Sequence, residues 1–195
     1  MKGSIKTGLF FGSFNPIHNG HLMIASYMAE FTDLQEIWFV VTPQNPLKEK
    51  SSLLDDYQRL HMVNLAVESD QRLRASDIEF KMSKPNYTIR TLAYLQDKFP
   101  GRHFVVISGT DIFPTFHKWK NWESLLELYS FYVYPRPGTS EHELLNHPSV
   151  KLFPAPQVEI SSTFIRQSLK EKKNMRYYLP DKVQQYIKEM HFYEG

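Results

Sequence analysis

Short, almost unbroken apolar runs recur along the chain and alternate with stretches in which apolar residues return every three or four positions. The runs are Leu9-Phe10-Phe11, Ile37-Trp38-Phe39-Val40-Val41, Phe104-Val105-Val106-Ile107 and Phe131-Tyr132-Val133-Tyr134. Their length and their β-branched and aromatic bias predict strands covered on both faces, as in parallel sheets. Between them, Leu22, Ala25 and Ala29, and then Leu60, Val63 and Val67, recur at helical spacing. Thr88 to Phe99 reads as a further helix, stopped by Pro100-Gly101. Strand and helix in alternation predict an open α/β sheet with right-handed crossovers. Ligands of such sheets sit beyond the carboxyl ends of the strands, so the residues just after each apolar run are the candidates for chemistry. Periodicity alone equally allows two packed layers with no site there. Pro135 to Pro156, with its five prolines, reads as a long surface connection or a weak edge strand. Lys170-Glu171-Lys172-Lys173 reads as a solvated helix end.

Composition narrows the class. A chain of 195 residues predicts a single domain, at roughly 150 residues per domain. Its 42% hydrophobic content is enough to build a core. Lysine and arginine number 23 against 21 acidic residues, a net charge of +2 that gives no general attraction to nucleic acid. The absence of cysteine excludes a disulfide scaffold, a cysteine nucleophile and any Cys-ligated zinc or iron–sulfur centre. No apolar run approaches the roughly 20 residues of a membrane helix, and the start Met-Lys-Gly-Ser-Ile-Lys lacks a signal-peptide core. The expectation is a soluble, cytoplasmic protein that partners neither nucleic acid nor membrane. Its oligomeric state stays open, a homo-oligomer included.

The first loop after a strand is the most informative segment. Gly12-Ser13-Phe14-Asn15-Pro16-Ile17-His18-Asn19-Gly20-His21 leads from the first run into the first helix. Gly12 and Gly20 let backbone turn tightly and approach a ligand, and the N-terminus of a helix opening near Gly20 is a seat for phosphate. His18 and His21 are three apart and share a face if the helix begins there. Two imidazoles beside a bound phosphate can donate to oxygens that gain charge in phosphoryl transfer. A single histidine there would be read as a polar surface residue. A protein-held metal is disfavoured, because His-x-x-His supplies two ligands and no His-Glu-x-x-His pattern is present. Far downstream, Ser161, Ser162 and Thr163 form an N-cap cluster before a helical run, with Arg166 one turn on. Hydroxyls at a helix start and a forked guanidinium also suit phosphate. The plain alternative keeps the serines as caps and Arg166 as a surface charge.

These two segments resemble the two signatures of the nucleotidyltransferase superfamily, Gly-x-Phe-x-Pro-x-His-x-Gly-His and Ile-Ser-Ser-Thr-x-x-Arg, the latter standing here as Ile160 to Arg166. Further places resemble bacterial nicotinate-nucleotide adenylyltransferase, over nearly the whole chain. The resemblance implies a Rossmann-like open parallel sheet with helices on both faces and a small C-terminal helical part at about 160–195. It implies adenylyl transfer from ATP to nicotinate mononucleotide, giving nicotinate adenine dinucleotide and pyrophosphate in NAD biosynthesis, with magnesium delivered by ATP. It implies a catalytic set of His18, His21 and Arg166, and an ATP set of Gly12, Ser13, Phe14, Gly20, Gly109, Asp111, Ser161, Ser162 and Thr163. For nicotinate mononucleotide it implies Tyr87 and Thr88 of Asn86-Tyr87-Thr88 at the carboxylate, Trp119 stacked on the pyridine, Arg136 of Arg136-Pro137-Gly138, and Asn45 and Lys48.

Without the resemblance, Trp119 would be a packing residue, Thr88 a helix N-cap, and Asp111 an N-cap or an exposed carboxylate. The chain also departs from the family pattern: Phe11 replaces a glycine, Ser13 a threonine and Asn15 an aspartate, and the segment Pro43 to Lys48 lacks the usual histidine. The nearest alternative is another adenylyl- or cytidylyltransferase of the superfamily, such as phosphopantetheine adenylyltransferase. The alternative of another class is a nucleotide-binding sensor without catalysis.

Overall fold

The computed structural model describes residues 4–43, 53–139 and 141–194. In chain order these form β1 (Ile5–Gly12), α1 (Asn19–Phe31), β2 (Glu36–Val41), α2 (Asp56–Val67), β3 (Leu73–Ser76) and α3 (Thr88–Lys98). The second part gives β4 (Arg102–Gly109), α4 (Trp122–Leu128), β5 (Ser130–Tyr134), β6 (Val150–Leu152), α5 (Ser162–Lys170) and α6 (Asp181–Glu189). Short 3-10 segments stand at Ile78–Lys81, Thr110–Lys118 and Glu143–Asn146.

Each apolar run falls within a strand whose successive residues serve opposite faces. Phe10, Ile37, Phe39, Val41, Val105, Ile107, Tyr132 and Tyr134 pack against α1, α2, α5 and α6. Their neighbours Leu9, Trp38, Val40, Phe104, Val106, Phe131 and Val133 pack against α3, α4 and Phe113 and Phe116. Covering both faces requires an apolar residue at every position, which is why these strands show no polar alternation. At roughly 1.5–3 kcal/mol for each large side chain removed from water, the two layers supply the driving force for folding.

The sheet order is β3-β2-β1-β4-β5-β6, and every neighbouring pair is parallel. The chain begins at the centre, works out to β3, then returns to β4 on the other side of β1. Connections leaving β1 and β4 therefore diverge, and a crevice opens beyond their carboxyl ends. Gly12 and Gly109, the last residues of these two strands, mark that crevice.

The proline-rich segment holds both readings: a connection with one 3-10 segment, and the three-residue edge strand β6 paired with β5. All five prolines lie outside β6, as their missing N–H groups require. β3, the opposite edge, went unpredicted because Leu73-Arg74-Ala75-Ser76 has neither an apolar run nor clean alternation. The Thr88–Phe99 helix begins at Thr88, but its N-cap is Tyr87, so Thr88 takes the first helical position instead of the capping one. Among the described residues no helix is long and apolar enough to cross a membrane.

Candidate active site

The loop from Gly12 to Gly20 is held from beneath. A side chain on Gly12 would come within 2.8 Å of the Phe14 ring, so glycine is what lets that ring fold back under the loop. Phe14 itself has a left-handed backbone (φ 46°) and is buried, meeting His21 edge-on at 5.1 Å and Phe39 at 5.5 Å. Arg59 of α2 reaches in from behind with a fully buried guanidinium. It donates to the carbonyls of Ser13 (2.5 Å), Leu54 (3.0 Å), Thr42 (3.0 Å) and Pro43 (3.3 Å), and to Asp56 at 2.6 Å. A buried cation is tolerable only when satisfied in this way.

His18 caps α1 and is almost wholly buried. Its imidazole stacks on that of His21, centroids 3.6 Å apart and planes 22° apart. Burial, helped by the nearby charge of Arg136, pushes the His18 pKa down to about 4, so the ring is neutral at pH 7. His18 Nδ1 has no hydrogen-bond partner among the described residues. The His18 backbone N–H donates to His21 Nδ1 at 3.2 Å. That bond makes His21 Nδ1 an acceptor, which puts a ring proton on Nε2. Gly20 leaves room for the pair, since a Cβ there would stand 3.1 Å from His18 Nδ1.

The late serine–threonine–arginine segment lands on this loop. Ser161 caps α5 by accepting from the Phe164 N–H at 3.1 Å, and Ser162 Oγ donates to the Pro16 carbonyl at 2.9 Å. Arg166 donates to the Asn15 carbonyl at 2.9 Å and to Thr163 Oγ1 at 3.4 Å. Asn15 is buried, and its Oδ1 accepts from the Leu54 N–H (3.3 Å) and the Tyr193 hydroxyl (2.8 Å). At the end of β4, Gly109 lies under Asp111 and Arg136: a Cβ there would meet Asp111 Oδ1 at 2.3 Å and Arg136 Cγ at 2.6 Å. The Arg136 N–H donates to Thr110 Oγ1 (2.8 Å), and its guanidinium faces Asp111 at 4.0 Å. Arg136, Pro137 and Val158 to Ser161 line a cavity of about 250 Å³ beside it.

A family model described as cytidylyltransferase-like matches residues 9–168, which span both segments. A protein of Flavobacterium psychrophilum named probable nicotinate-nucleotide adenylyltransferase is 55% identical over 192 residues, covering 97% of this chain and 100% of its own. The chain belongs to the nicotinate-nucleotide adenylyltransferase family. A relative of the same name from Bacteroides thetaiotaomicron is 46% identical over 95% of this chain and 92% of its own. Among solved structures, the Plasmodium falciparum nicotinic acid mononucleotide adenylyltransferase complexed with NaAD is similar with a TM-score of 0.82 over 97% of both chains, at 20% identity. That likeness shows a shared Rossmann-like fold.

Within this nicotinate-nucleotide adenylyltransferase chain, the structure gathers Gly12, Ser13, Phe14, His18, Gly20, His21, Gly109, Asp111, Arg136, Ser161, Ser162, Thr163 and Arg166 around one crevice. Arg136 thus stands with the residues expected at ATP, its side chain against Gly109 and its charge near His18. Tyr87, Thr88 and Trp119 stand on the α3 side of the sheet. Thr88 opens α3, Arg90 lies over the Tyr87 ring, and half-buried Trp119 packs 5.1 Å from Phe116. Asn45 and Lys48 lie outside the described residues. Three residues went unnoticed in the sequence: Arg59, Tyr193 and Glu79. Arg59 alone left a trace, an arginine within the stripe Arg59-Met62-Val63 that α2 buries.

Proposed function

We propose that this chain, acting as one nucleotidyltransferase domain over 1–195, transfers the adenylyl group of ATP to nicotinate mononucleotide, forming nicotinate adenine dinucleotide and pyrophosphate. The observation that carries this reading is the joining of the His18–His21 loop to Arg166 through the Asn15 carbonyl, at the carboxyl ends of β1 and β4. Two segments far apart in sequence thereby present an N–H donor, a guanidinium and a helix start to one polyphosphate.

The acceptor phosphate, already an anion at neutral pH, attacks the α-phosphorus in line; the bond to the β-phosphate oxygen breaks, and pyrophosphate leaves. No protein nucleophile is needed, and catalysis consists of positioning and charge stabilisation. His21 donates from Nε2 to a phosphate oxygen. Neutral His18 holds His21 by stacking and by its backbone N–H, and offers its own ring to the triphosphate. Phe14 carries His21 from below, and Ser161, Ser162, Thr163 and Arg166 flank the phosphates. Gly109 and Asp111 receive the adenosine end, with Arg136 beside them. Magnesium enters as part of the MgATP substrate, because it keeps its waters and seldom requires a full protein cage. Tyr87 and Thr88 receive the nicotinate carboxylate, and Trp119 stacks on the pyridinium. We place the enzyme in the cytoplasm, where ATP is available to it.

Pyrophosphate release with ATP and a panel of acceptors tests the reading. Nicotinate mononucleotide should be turned over faster than nicotinamide mononucleotide or phosphopantetheine. Preference for phosphopantetheine would overturn the acceptor assignment.

A further inference from the structure

Glu79 is a carboxyl group buried to within 2% of full enclosure, and the reaction as described leaves it without a task. It sits in the 3-10 segment that follows β3, on the α3 side of the sheet. Its Oε1 accepts from the Thr91 hydroxyl at 2.8 Å, and the nearby Thr42 hydroxyl, like that of Thr91, favours the ionised carboxyl. Its main-chain carbonyl accepts from Asn86 Nδ2 at 3.0 Å. Glu79 Oε2 and Asn86 Oδ1 are buried without partners among the described residues. Burial pushes the carboxyl pKa above the usual range, and among the described residues no cation offsets it.

These contacts have a common geometry. Asn86 and Thr91 bracket the turn Tyr87-Thr88 that opens α3. Thr42 lies just past β2, where its N–H donates to the Gly12 carbonyl at 2.9 Å and its carbonyl accepts from Arg59. Glu79 therefore ties both flanks of the α3 entrance to the 3-10 segment after β3, beside Thr42 at the end of β2. A buried polar group left partly unsatisfied is costly, and such a group persists where it fixes a geometry.

We propose that Glu79 is a positioning residue for the acceptor: it holds the Tyr87-Thr88 turn against the 3-10 segment that follows β3 and thereby sets affinity for the pyridine carboxylate without touching it. The proposal rests on the reading that this turn receives nicotinate. The effect is selective for the acceptor, because the Glu79–Thr91 bond bears on the α3 entrance and touches none of the residues assigned to ATP.

Steady-state kinetics of the full chain, with each substrate varied in turn, provide the test. Glu79→Ala should raise KM for nicotinate mononucleotide by roughly ten-fold or more, with KM for ATP within about two-fold and kcat lowered by less than the acceptor KM rises. Glu79→Gln retains an acceptor for the Thr91 hydroxyl and should restore the acceptor KM to within about three-fold of wild type. Thr91→Val should follow Glu79→Ala in the same direction, and it serves alone if Glu79→Ala does not fold. Equal rises in both KM values, or an unchanged acceptor KM in Glu79→Ala and Thr91→Val, would overturn the proposal. Thr88→Ala separates the two ideas. If Thr88→Ala raises the acceptor KM and the Glu79 and Thr91 variants do not, Glu79 has no such role. If Thr88→Ala leaves it unchanged, the reading of the turn is what fails.

Discussion

Arg166 and Asn15, 151 positions apart in the chain, are joined by a 2.9 Å hydrogen bond from a guanidinium N–H to a backbone carbonyl. The bond orients the guanidinium plane, with Thr163 Oγ1 touching a second nitrogen. Lysine would keep the charge but could not hold the loop and face a phosphate at once. Arg166→Lys should therefore lower kcat by about 10²-fold while costing only about 1 kcal/mol of stability. Single-turnover rates and urea midpoints measure the two effects, and a wild-type rate in that variant would remove Arg166 from the chemistry.

His18 makes acid stability a readout of the site. Its folded pKa of about 4 lies below the value of 6.5 for an exposed histidine. Above pH 6.5 both folded and unfolded rings are neutral and the group has no effect. As pH falls below 6.5 the unfolded ring takes a proton that the buried ring refuses, so stability declines until pH 4 is reached. The full decline is about 3 kcal/mol. Denaturant titrations between pH 7 and pH 4 should show this slope in wild type and a shallower one in His18→Gln.

The same ring bears on rate. His18→Ala removes the stacking partner of His21 and should cut kcat by roughly 10²- to 10³-fold with a modest change in KM. A variant with intact turnover would show that His21 keeps its orientation unaided.

Arg59 separates stability from chemistry. Arg59→Met leaves the carbonyls of Ser13, Thr42, Pro43 and Leu54 without their donor and should destabilise the fold by about 3–5 kcal/mol. Thermal unfolding with and without ATP checks this. A shift of under about 1 kcal/mol would mean that water replaces the guanidinium.

Trp119→Ala should raise KM for nicotinate mononucleotide about five-fold or more while sparing ATP, the scale of one lost stacking contact. Equal losses for both substrates would make Trp119 the packing residue that its contact with Phe116 also allows.

What could be read from the residues follows a physical divide. Strands such as Ile37 to Val41 announce themselves because both faces are buried, and Ser161 announces a cap because capping is local. Glu79 and Tyr193 act through partners that only the fold brings near, so neither spacing nor composition reveals them, and Arg59 shows only as an arginine in the buried stripe of α2. Asn15 shows the limit from the other side. Where the family has an aspartate, Asn15 Oδ1 accepts from Leu54 and Tyr193, which an amide oxygen does without any charge.

The tie between Tyr193 and Asn15 also sets an order of events during synthesis. The loop bearing His18 leaves the ribosome long before the segment that supplies Ser162, Arg166 and Tyr193 has been translated. Until that segment arrives, the carbonyls of Asn15 and Pro16 lack these donors. A nascent chain therefore holds its nucleotide loop unfinished until α5 and Tyr193 have been made.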